Sequence, residues 1–223
     1  MKRNIDMTEI SDGKLYGLND MVKVNCQDCK GCSVCCHIMG DTIVLDPLDV
    51  HLLKTNLKLN FEELLKTALE LKVREGIILP SLKLDEMKGC TFLNEEGRCS
   101  VHSFRPGLCR IFPLGRFYRH ETRDFLYFLQ TKECVYENRT KMKVSKWIDV
   151  PDIKQNQEFI ADWHYFLKDI QDAYMKTPED YAANEGKIKK INLLILQEFY
   201  INDFDKEKSI YEQLAEKIAS IQV

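Results

Sequence analysis

Five cysteines and a histidine stand within residues 26–37, in the stretch CQDCKGCSVCCH. A gap of two residues between successive cysteines lets a tight turn bring both sulfurs to one centre, either about 2.3 Å from a zinc ion or at neighbouring corners of an iron-sulfur cluster. Gln27, Asp28, Lys30 and Ser33 form no apolar pattern around these cysteines, which argues against a set of small buried core residues. The run therefore predicts a metal centre.

The adjacent pair Cys35 and Cys36 is hard to satisfy at a single metal, because neighbouring side chains diverge in most backbone conformations. One of the two is therefore expected to serve a second site. The rest of the chain supplies further thiols at Cys90, Cys99, Cys109 and Cys134. Together with the first run, these are enough for two four-sulfur sites, or for one site plus redox-active or structural thiols.

Composition and charge narrow the class of protein. The 223 residues are 44% hydrophobic, which can fill an ordinary core, and the formal net charge of -3 argues against nucleic-acid binding. The opening MKRNIDMTEISDGKLYG is not a secretory signal, and no apolar run approaches the roughly 18 residues of a membrane helix. We therefore expect a cytoplasmic protein without a membrane span. In a reducing cytoplasm, nine cysteines indicate metal binding or thiol chemistry rather than disulfides.

Short strands and helices are predicted for the first 150 residues. Strands are expected at 21–25 and 42–45, and a helix is expected to begin at Asp46 as N-cap with Pro47 at its first position. A second helix is predicted over 60–73, followed by an extended segment at 77–84 and a hairpin in GRFYRHETRDFLYFLQ. The second cysteine region, GCTFLNEEGRCSVHSFRPGLCRIFPLG, is irregular, so bonds from thiolates to a metal would constrain its shape.

From about residue 150 the pattern becomes helical and contains no cysteine. Helices are predicted from Pro151 to Met175, from Pro178 to about Tyr200, and over the final DKEKSIYEQLAEKIASI. The fold class predicted is α+β: an irregular cysteine-rich metal-binding domain at 1–150 and a C-terminal bundle of three helices at 151–223. The aromatic residues predicted to pack in its core are Trp163, Tyr165, Phe166, Phe199 and Tyr200.

The order of these motifs resembles the YkgJ-type cysteine-cluster family, also described as a CxxCxxCC zinc- or iron-chelating domain. The resemblance covers about residues 20–150 and includes TFL after Cys90, GRCSVH and RPGLCRIFPLG. Some relatives are named iron-sulfur oxidoreductases and others flagellin lysine N-methylases, so the resemblance implies a metal domain rather than one reaction. By position, it implies that eight cysteines bind metal: Cys29, Cys32, Cys35, Cys36, Cys90, Cys99, Cys109 and Cys134. Cys26 is an extra cysteine.

The donor chemistry limits the choice of metal. Coordination by thiolates alone excludes magnesium and calcium and leaves zinc, an iron-sulfur cluster or copper(I). Closely spaced cysteines followed by a remote one favour an iron-sulfur cluster, with zinc as the alternative. His37 and His102 could each replace a thiolate, or could be hydrogen-bond donors beside one.

Six arginines lie around the second cysteine region: Arg98, Arg105, Arg110, Arg116, Arg119 and Arg123. A four-thiolate zinc or an oxidised cubane cluster carries a formal charge of about -2, which neighbouring guanidinium groups would offset. Arg105 and Arg110, which flank the RPGLCR turn, are predicted to contact the cofactor in this way. The outlying arginines could instead dock an anionic cofactor, a substrate or an acidic partner protein.

Three functions are consistent with these residues. The first is an iron-sulfur protein of the oxidoreductase class that exchanges electrons with a partner protein. The second is a zinc-stabilised interaction module without catalysis. The third, a lysine N-methylase, depends on family analogy alone, because the sequence shows neither a phosphate loop nor a recognisable S-adenosylmethionine pocket. No catalytic residue and no oligomeric state are assigned.

Overall fold

A computed structural model describes residues 7–26, 32–39, 42–85, 89–136 and 138–221. Its α-helices are α1 (Met7–Ile10), α2 (Val34–Ile38), α3 (Pro47–Leu57), α4 (Phe61–Thr67), α5 (Gly107–Ile111), α6 (Val144–Ile148), α7 (Ile153–Tyr174), α8 (Pro178–Ala183), α9 (Glu185–Ile195) and α10 (Ile210–Ser220). A 3-10 turn covers His102–Phe104 and a π-helix covers Leu196–Ile201. The strands are β1 (Ser11–Tyr16), β2 (Met21–Asn25), β3 (Leu69–Arg74), β4 (Ile77–Leu82), β5 (Leu84–Asp85), β6 (Gly89–Cys90), β7 (Leu114–Arg119), β8 (Asp124–Gln130) and β9 (Thr140–Lys143).

The strands form small antiparallel sheets, so the fold is α+β as predicted. β1, β8 and β7 make a three-stranded sheet, and the pairs β2–β9, β3–β4 and β5–β6 make two-stranded ones. The predicted hairpin is confirmed as β7 and β8, with Leu114 opposite Leu129 and Arg119 opposite Asp124. Alternate residues of β8, beginning with Phe125, are buried, as the two-residue period of a strand requires.

Both predicted helix caps are present. Asp46 accepts a hydrogen bond from Asp49 N (2.9 Å), and the Asp49 side chain accepts one in return from Asp46 N (3.3 Å). Asn60 and Glu63 form the same reciprocal pair at 2.9 and 2.8 Å. Each of these reciprocal pairs is a capping box, which satisfies two backbone N–H groups that have no partner within the helix. These ends were predictable because the signal lies within four residues of sequence.

The predicted helix over 60–73 is wrong in its second half. Helix α4 ends at Thr67, and Leu69–Arg74 is strand β3, which pairs along its whole length with β4. From Glu70 to Arg74 the residues alternate between partly buried and exposed, with Leu71 and Val73 exposed, which is the two-residue period of a strand. Pairing with a neighbouring strand has therefore overridden the helical spacing of the leucines.

Two other elements are shorter than predicted. The strand expected at 42–45 is reduced to a single bridge between Val44 and Ser81. The helix expected from Pro178 to about Tyr200 is interrupted at Asn184, where its side-chain amide donates to Asp180 O (2.9 Å), and it finishes in the π-helix. Asn184 ends α8 because its side chain competes for a backbone carbonyl.

The helical half packs onto the first 150 residues. The five aromatic residues predicted for the core are buried, and one hydrophobic cluster includes residues from both halves. Tyr200 donates a hydrogen bond to Leu45 O (3.0 Å), and Tyr165 donates one to Arg119 O (2.8 Å). The division at residue 150 stays a prediction. Within the described part of the chain, no helix is long and apolar enough to cross a membrane.

Candidate metal centre

Six cysteines from both cysteine-rich regions line one cavity of about 80 Å³, here called the thiol cavity. Its cysteines are Cys32, Cys35, Cys36, Cys90, Cys99 and Cys109. Six of the eight cysteines predicted to bind metal therefore face the same space, although they are spread over 78 positions of sequence. Cys29 lies outside the described residues.

Glycine at position 89 allows the first cysteine run to approach the second. Helix α2 carries Cys36 and contacts β6, which ends at Cys90. Gly89 has a φ of +82°, and a Cβ placed there would lie 2.5 Å from His37 Nδ1 and 3.0 Å from Cys36 O. A side chain at this position would push helix α2 away from strand β6 and so separate Cys36 from Cys90.

Helix α5, which carries Cys109, is fixed by contacts on several sides. Gly107 N donates to Asp49 Oδ1 (2.7 Å), and Trp147 Nε1 donates to Ile111 O (3.2 Å). The Arg110 guanidinium donates to the carbonyl oxygens of Ser103 (2.7 Å) and Asp149 (3.3 Å). Arg110 therefore has a structural role beside α5 and lies outside the lining of the thiol cavity.

The thiols differ in how readily they ionise. A hydrogen bond from the Cys36 thiol lowers the pKa of Cys35 to about 7, and the same bond, together with burial, raises the pKa of Cys36. Burial is the main cause that raises the pKa of Cys90, Cys99 and Cys109. Metal binding at these sulfurs must release protons, so we expect the affinity to weaken as the pH falls.

Two arginines and a histidine also line the thiol cavity. They are Arg98, Arg105 and His102, and the Arg105 guanidinium contacts both the ring and the backbone oxygen of His102. Guanidinium groups at this wall would offset the negative charge of a thiolate-bound metal. His37 is not part of the lining, since its ring lies against Gly89.

The outlying arginines have carboxylate partners within the chain. Arg119 Nε donates to Asp124 Oδ1 at 2.7 Å, and Arg123 pairs with Asp169 at 2.7 Å. Arg123 also lies over the ring of Tyr165, 4.6 Å from its centroid. These contacts account for both guanidinium groups without an anionic ligand.

A smaller cavity, of about 20 Å³, adjoins the first and is here called the small cavity. Its cysteines are Cys26, Cys32, Cys35 and Cys134. Cys32 and Cys35 line both cavities, whereas Cys134, the last of the eight predicted ligands, faces only the small one. The thiols are therefore divided between two neighbouring spaces.

The donor set suits a soft metal. None of the described cysteines of the two cavities forms a disulfide, and the thiol cavity is lined by no carboxylate among the described residues. Sulfur donors select zinc, copper(I) or iron-sulfur clusters. Across the described ranges, no three Cys, His, Asp or Glu side chains meet closely enough to bind one ion. The sulfurs of the thiol cavity are therefore spread around a space, rather than converging on the position of a single ion.

A third cavity, of about 250 Å³, was not predicted from the sequence. Asp46, Asp49, Arg116 and Tyr127 line it, and Asp49 is only 5% exposed. Arg116 Nε is buried without a hydrogen-bond partner among the described residues, and burial raises the pKa of both carboxyl groups. The DPLD stretch places two carboxyl groups one helical turn apart, but helix capping alone was enough to explain them.

The buried Asp49 leads to a prediction for the variant Asp49→Asn. Burial raises the pKa of Asp49 well above the ordinary 3.8, so the folded chain keeps a proton that the unfolded chain releases. The protonated Asp49 contributes fully to the free energy of unfolding at pH values below its unfolded pKa of about 3.8. This contribution is lost as the pH rises toward the folded pKa, by at most about 1.4 kcal/mol per pH unit. We expect Asp49→Asn to show a shallower decline of the unfolding free energy between about pH 5 and pH 8.

The measurement is urea unfolding of the metal-loaded chain at several pH values. Asparagine keeps an acceptor for Gly107 N but loses the return bond to Asp46 N, a cost of about 1 kcal/mol that does not depend on pH. Glu207→Gln removes an exposed carboxyl group and is the matched control. Equal pH slopes in the wild type and in Asp49→Asn would contradict a protonated Asp49.

The fold and the gathered thiols define a cysteine-rich metal-binding protein. The chain matches the model of the CxxCxxCC family, described as "Putative zinc- or iron-chelating domain", over residues 28–159. This match covers more than half of the 223 residues, and the chain belongs to that family. The predicted family and metal binding are thereby confirmed. No curated protein and no solved structure matches the chain.

Proposed function

We propose that the chain is an iron-sulfur protein that passes electrons to or from a partner protein. The observation that carries the proposal is the size of the thiol cavity together with its six cysteines. One water-sized probe occupies about 10–15 Å³ on this measure, so a cavity of about 80 Å³ has room for several atoms. A cluster of iron and sulfide fills such a space better than a single ion does.

The surroundings of the thiols support the same proposal. Phe92, Phe112 and Trp147 line the cavity with apolar surface, while Arg98 and Arg105 supply positive charge. Burial and nearby charge are two of the properties by which proteins set the potential of an iron-sulfur centre. Because free thiols persist in a reducing compartment, we place the protein in the cytoplasm.

The test is the metal content of the full chain purified without oxygen. We expect iron and acid-labile sulfide in matching amounts, with visible absorbance that bleaches when dithionite is added. Zinc and copper are measured in the same sample. A colourless, iron-free protein obtained under these conditions would overturn the proposal.

Zinc is the second candidate for the thiol cavity, because the family description names zinc beside iron. Zinc bound without sulfide and without redox activity would indicate an interaction module stabilised by its metal. A metal-binding free energy of about 10 kcal/mol or more per site would then stabilise the folded chain. In that case, complete removal of zinc with a chelator should unfold the cysteine-rich part of the chain.

A further inference from the structure

We infer that the third cavity is a binding site for a free aliphatic amino acid in its zwitterionic form. The cavity has a volume of about 250 Å³, and its lining shares only Arg105 with that of the thiol cavity. None of the described cysteines lines it. The inference therefore depends neither on the metal of the thiol cavity nor on the proposed electron transfer.

The hairpin of β7 and β8 supplies two buried donors at one side of the third cavity. Arg116 and Tyr127 are directly opposite each other in the hairpin, and both line the cavity. Arg116 Nε is buried without a hydrogen-bond partner among the described residues. Tyr127 is only 2% exposed, and no hydrogen bond joins its hydroxyl to another described residue. Because buried polar groups are normally paired, these two donors indicate an acceptor such as a carboxylate, which a guanidinium binds well.

The start of helix α3 supplies carboxyl groups beside these donors. A Cβ placed on Gly107 would lie 3.4 Å from Arg116 Nη2, 3.6 Å from Asp49 Oδ1 and 3.9 Å from Asp46 Oδ2. The capping box uses the other oxygen of Asp46, Oδ1. Burial raises the pKa of both carboxyl groups, so their ionised forms are poorly compensated within the chain. A ligand ammonium group at this place would provide that compensation.

The charges of the lining favour a ligand that carries both signs. Among the described residues, the third cavity is lined by three carboxyl groups and three guanidinium groups: Asp46, Asp49, Asp149, Arg105, Arg110 and Arg116. A simple anion would bind beside unmatched carboxyl groups, and a simple cation beside unmatched guanidinium groups. A zwitterion with its carboxylate toward Arg116 and its ammonium group toward Asp49 matches both sets.

The size and the remaining walls indicate an aliphatic side chain. The volume of about 250 Å³ equals roughly 15–25 water-sized probes, which is enough for an amino acid such as leucine. It is smaller than the roughly 300–1,000 Å³ of sites for drug-sized ligands. Aliphatic residues form much of the wall: Leu48, Leu52, Ile148, Val150 and Ile160. Ser103, Asp149 and Pro151 are exposed parts of the lining, so the ligand would enter between them.

The test is calorimetric titration of the metal-loaded full chain with L-leucine and two analogues. Isocaproate has the same carboxylate and side chain without the ammonium group, and isoamylamine has the ammonium group without the carboxylate. We expect L-leucine to bind, and each analogue to bind about 10-fold more weakly or worse, because it leaves one set of buried charges unmatched. Valine, isoleucine and methionine are titrated in parallel. Absence of binding by all four amino acids, or equal binding of isocaproate and L-leucine, would overturn the inference.

The variant Tyr127→Phe tests the site within the chain. It removes the buried hydroxyl and keeps the ring, so we expect no loss of thermal stability in the ligand-free protein but about 10-fold weaker binding of L-leucine. Tyr174→Phe is the matched control, because Tyr174 lines none of the three cavities. Equal affinities in the two variants would contradict the placement of the ligand carboxylate. Iron and sulfide are measured in the same samples, so their absence counts against the proposed function alone.

Discussion

Replacing Cys109 by serine is expected to remove the metal from the thiol cavity and to destabilise the whole chain. Cys109 faces only that cavity, and burial raises the pKa of its thiol, so its proton is lost only when a metal takes its place. A serine hydroxyl is a poor ligand for a soft metal. The metal-binding free energy of such sites, about 10 kcal/mol or more, is also folding free energy.

The measurement combines metal and sulfide content with the thermal unfolding temperature. We expect Cys109→Ser to retain almost no metal in the thiol cavity and to unfold at a much lower temperature than the wild type. Cys134→Ser is the matched control, because Cys134 lines only the small cavity. A Cys109→Ser protein that kept its iron and sulfide, or an equal loss in both variants, would contradict the assignment of Cys109.

Local signals in the sequence predicted much of this fold correctly. The caps at Asp46 and Asn60 depend on side chains within four positions, and the hairpin of β7 and β8 depends on two strands beside one short turn. The spacing of the cysteines is equally local. It predicted metal chemistry because soft donors at two-residue gaps have few other uses in a reducing compartment.

Features that depend on distant segments were not predictable in the same way. The leucine spacing after Asn60 is compatible with a helix. Residues 69–74 form a strand only because β3 pairs with β4. Likewise, the division of thiols between two cavities depends on the contact of α2 with β6 and on the β2–β9 ladder. The buried Asp49 carboxyl group accepts its hydrogen bond from Gly107 N, which lies 58 positions away.

Sequence spacing also grouped the cysteines differently from their positions in space. The first run was expected to supply most ligands of one cluster, with a single remote thiolate. In the structure the thiol cavity takes three described cysteines from the first run and three from the second region. The neighbours Cys35 and Cys36 differ in the way that side-chain divergence predicts, because Cys35 faces both cavities and Cys36 faces only one.

The second large effect is expected from Gly89→Ala, although residue 89 is not a metal ligand. The φ of +82° costs a residue with a Cβ roughly 1–2 kcal/mol. The new methyl group would also lie 3.0 Å from Cys36 O, a backbone atom that cannot move without shifting α2. Because Cys36 and Cys90 both line the thiol cavity, this shift should displace the ligand set.

We expect Gly89→Ala to weaken metal binding in the thiol cavity by about 10–100-fold, the range typical when a group that supports metal ligands is altered. The measurement is metal retention against increasing concentrations of a chelator. Gly13→Ala is the matched control, because Gly13 has a similar φ of +72° but no described atom within 4 Å of an added Cβ. It should therefore reproduce the backbone strain without the displacement of α2. If the two variants retained metal equally well, close packing of α2 on β6 would not be what holds the thiols together.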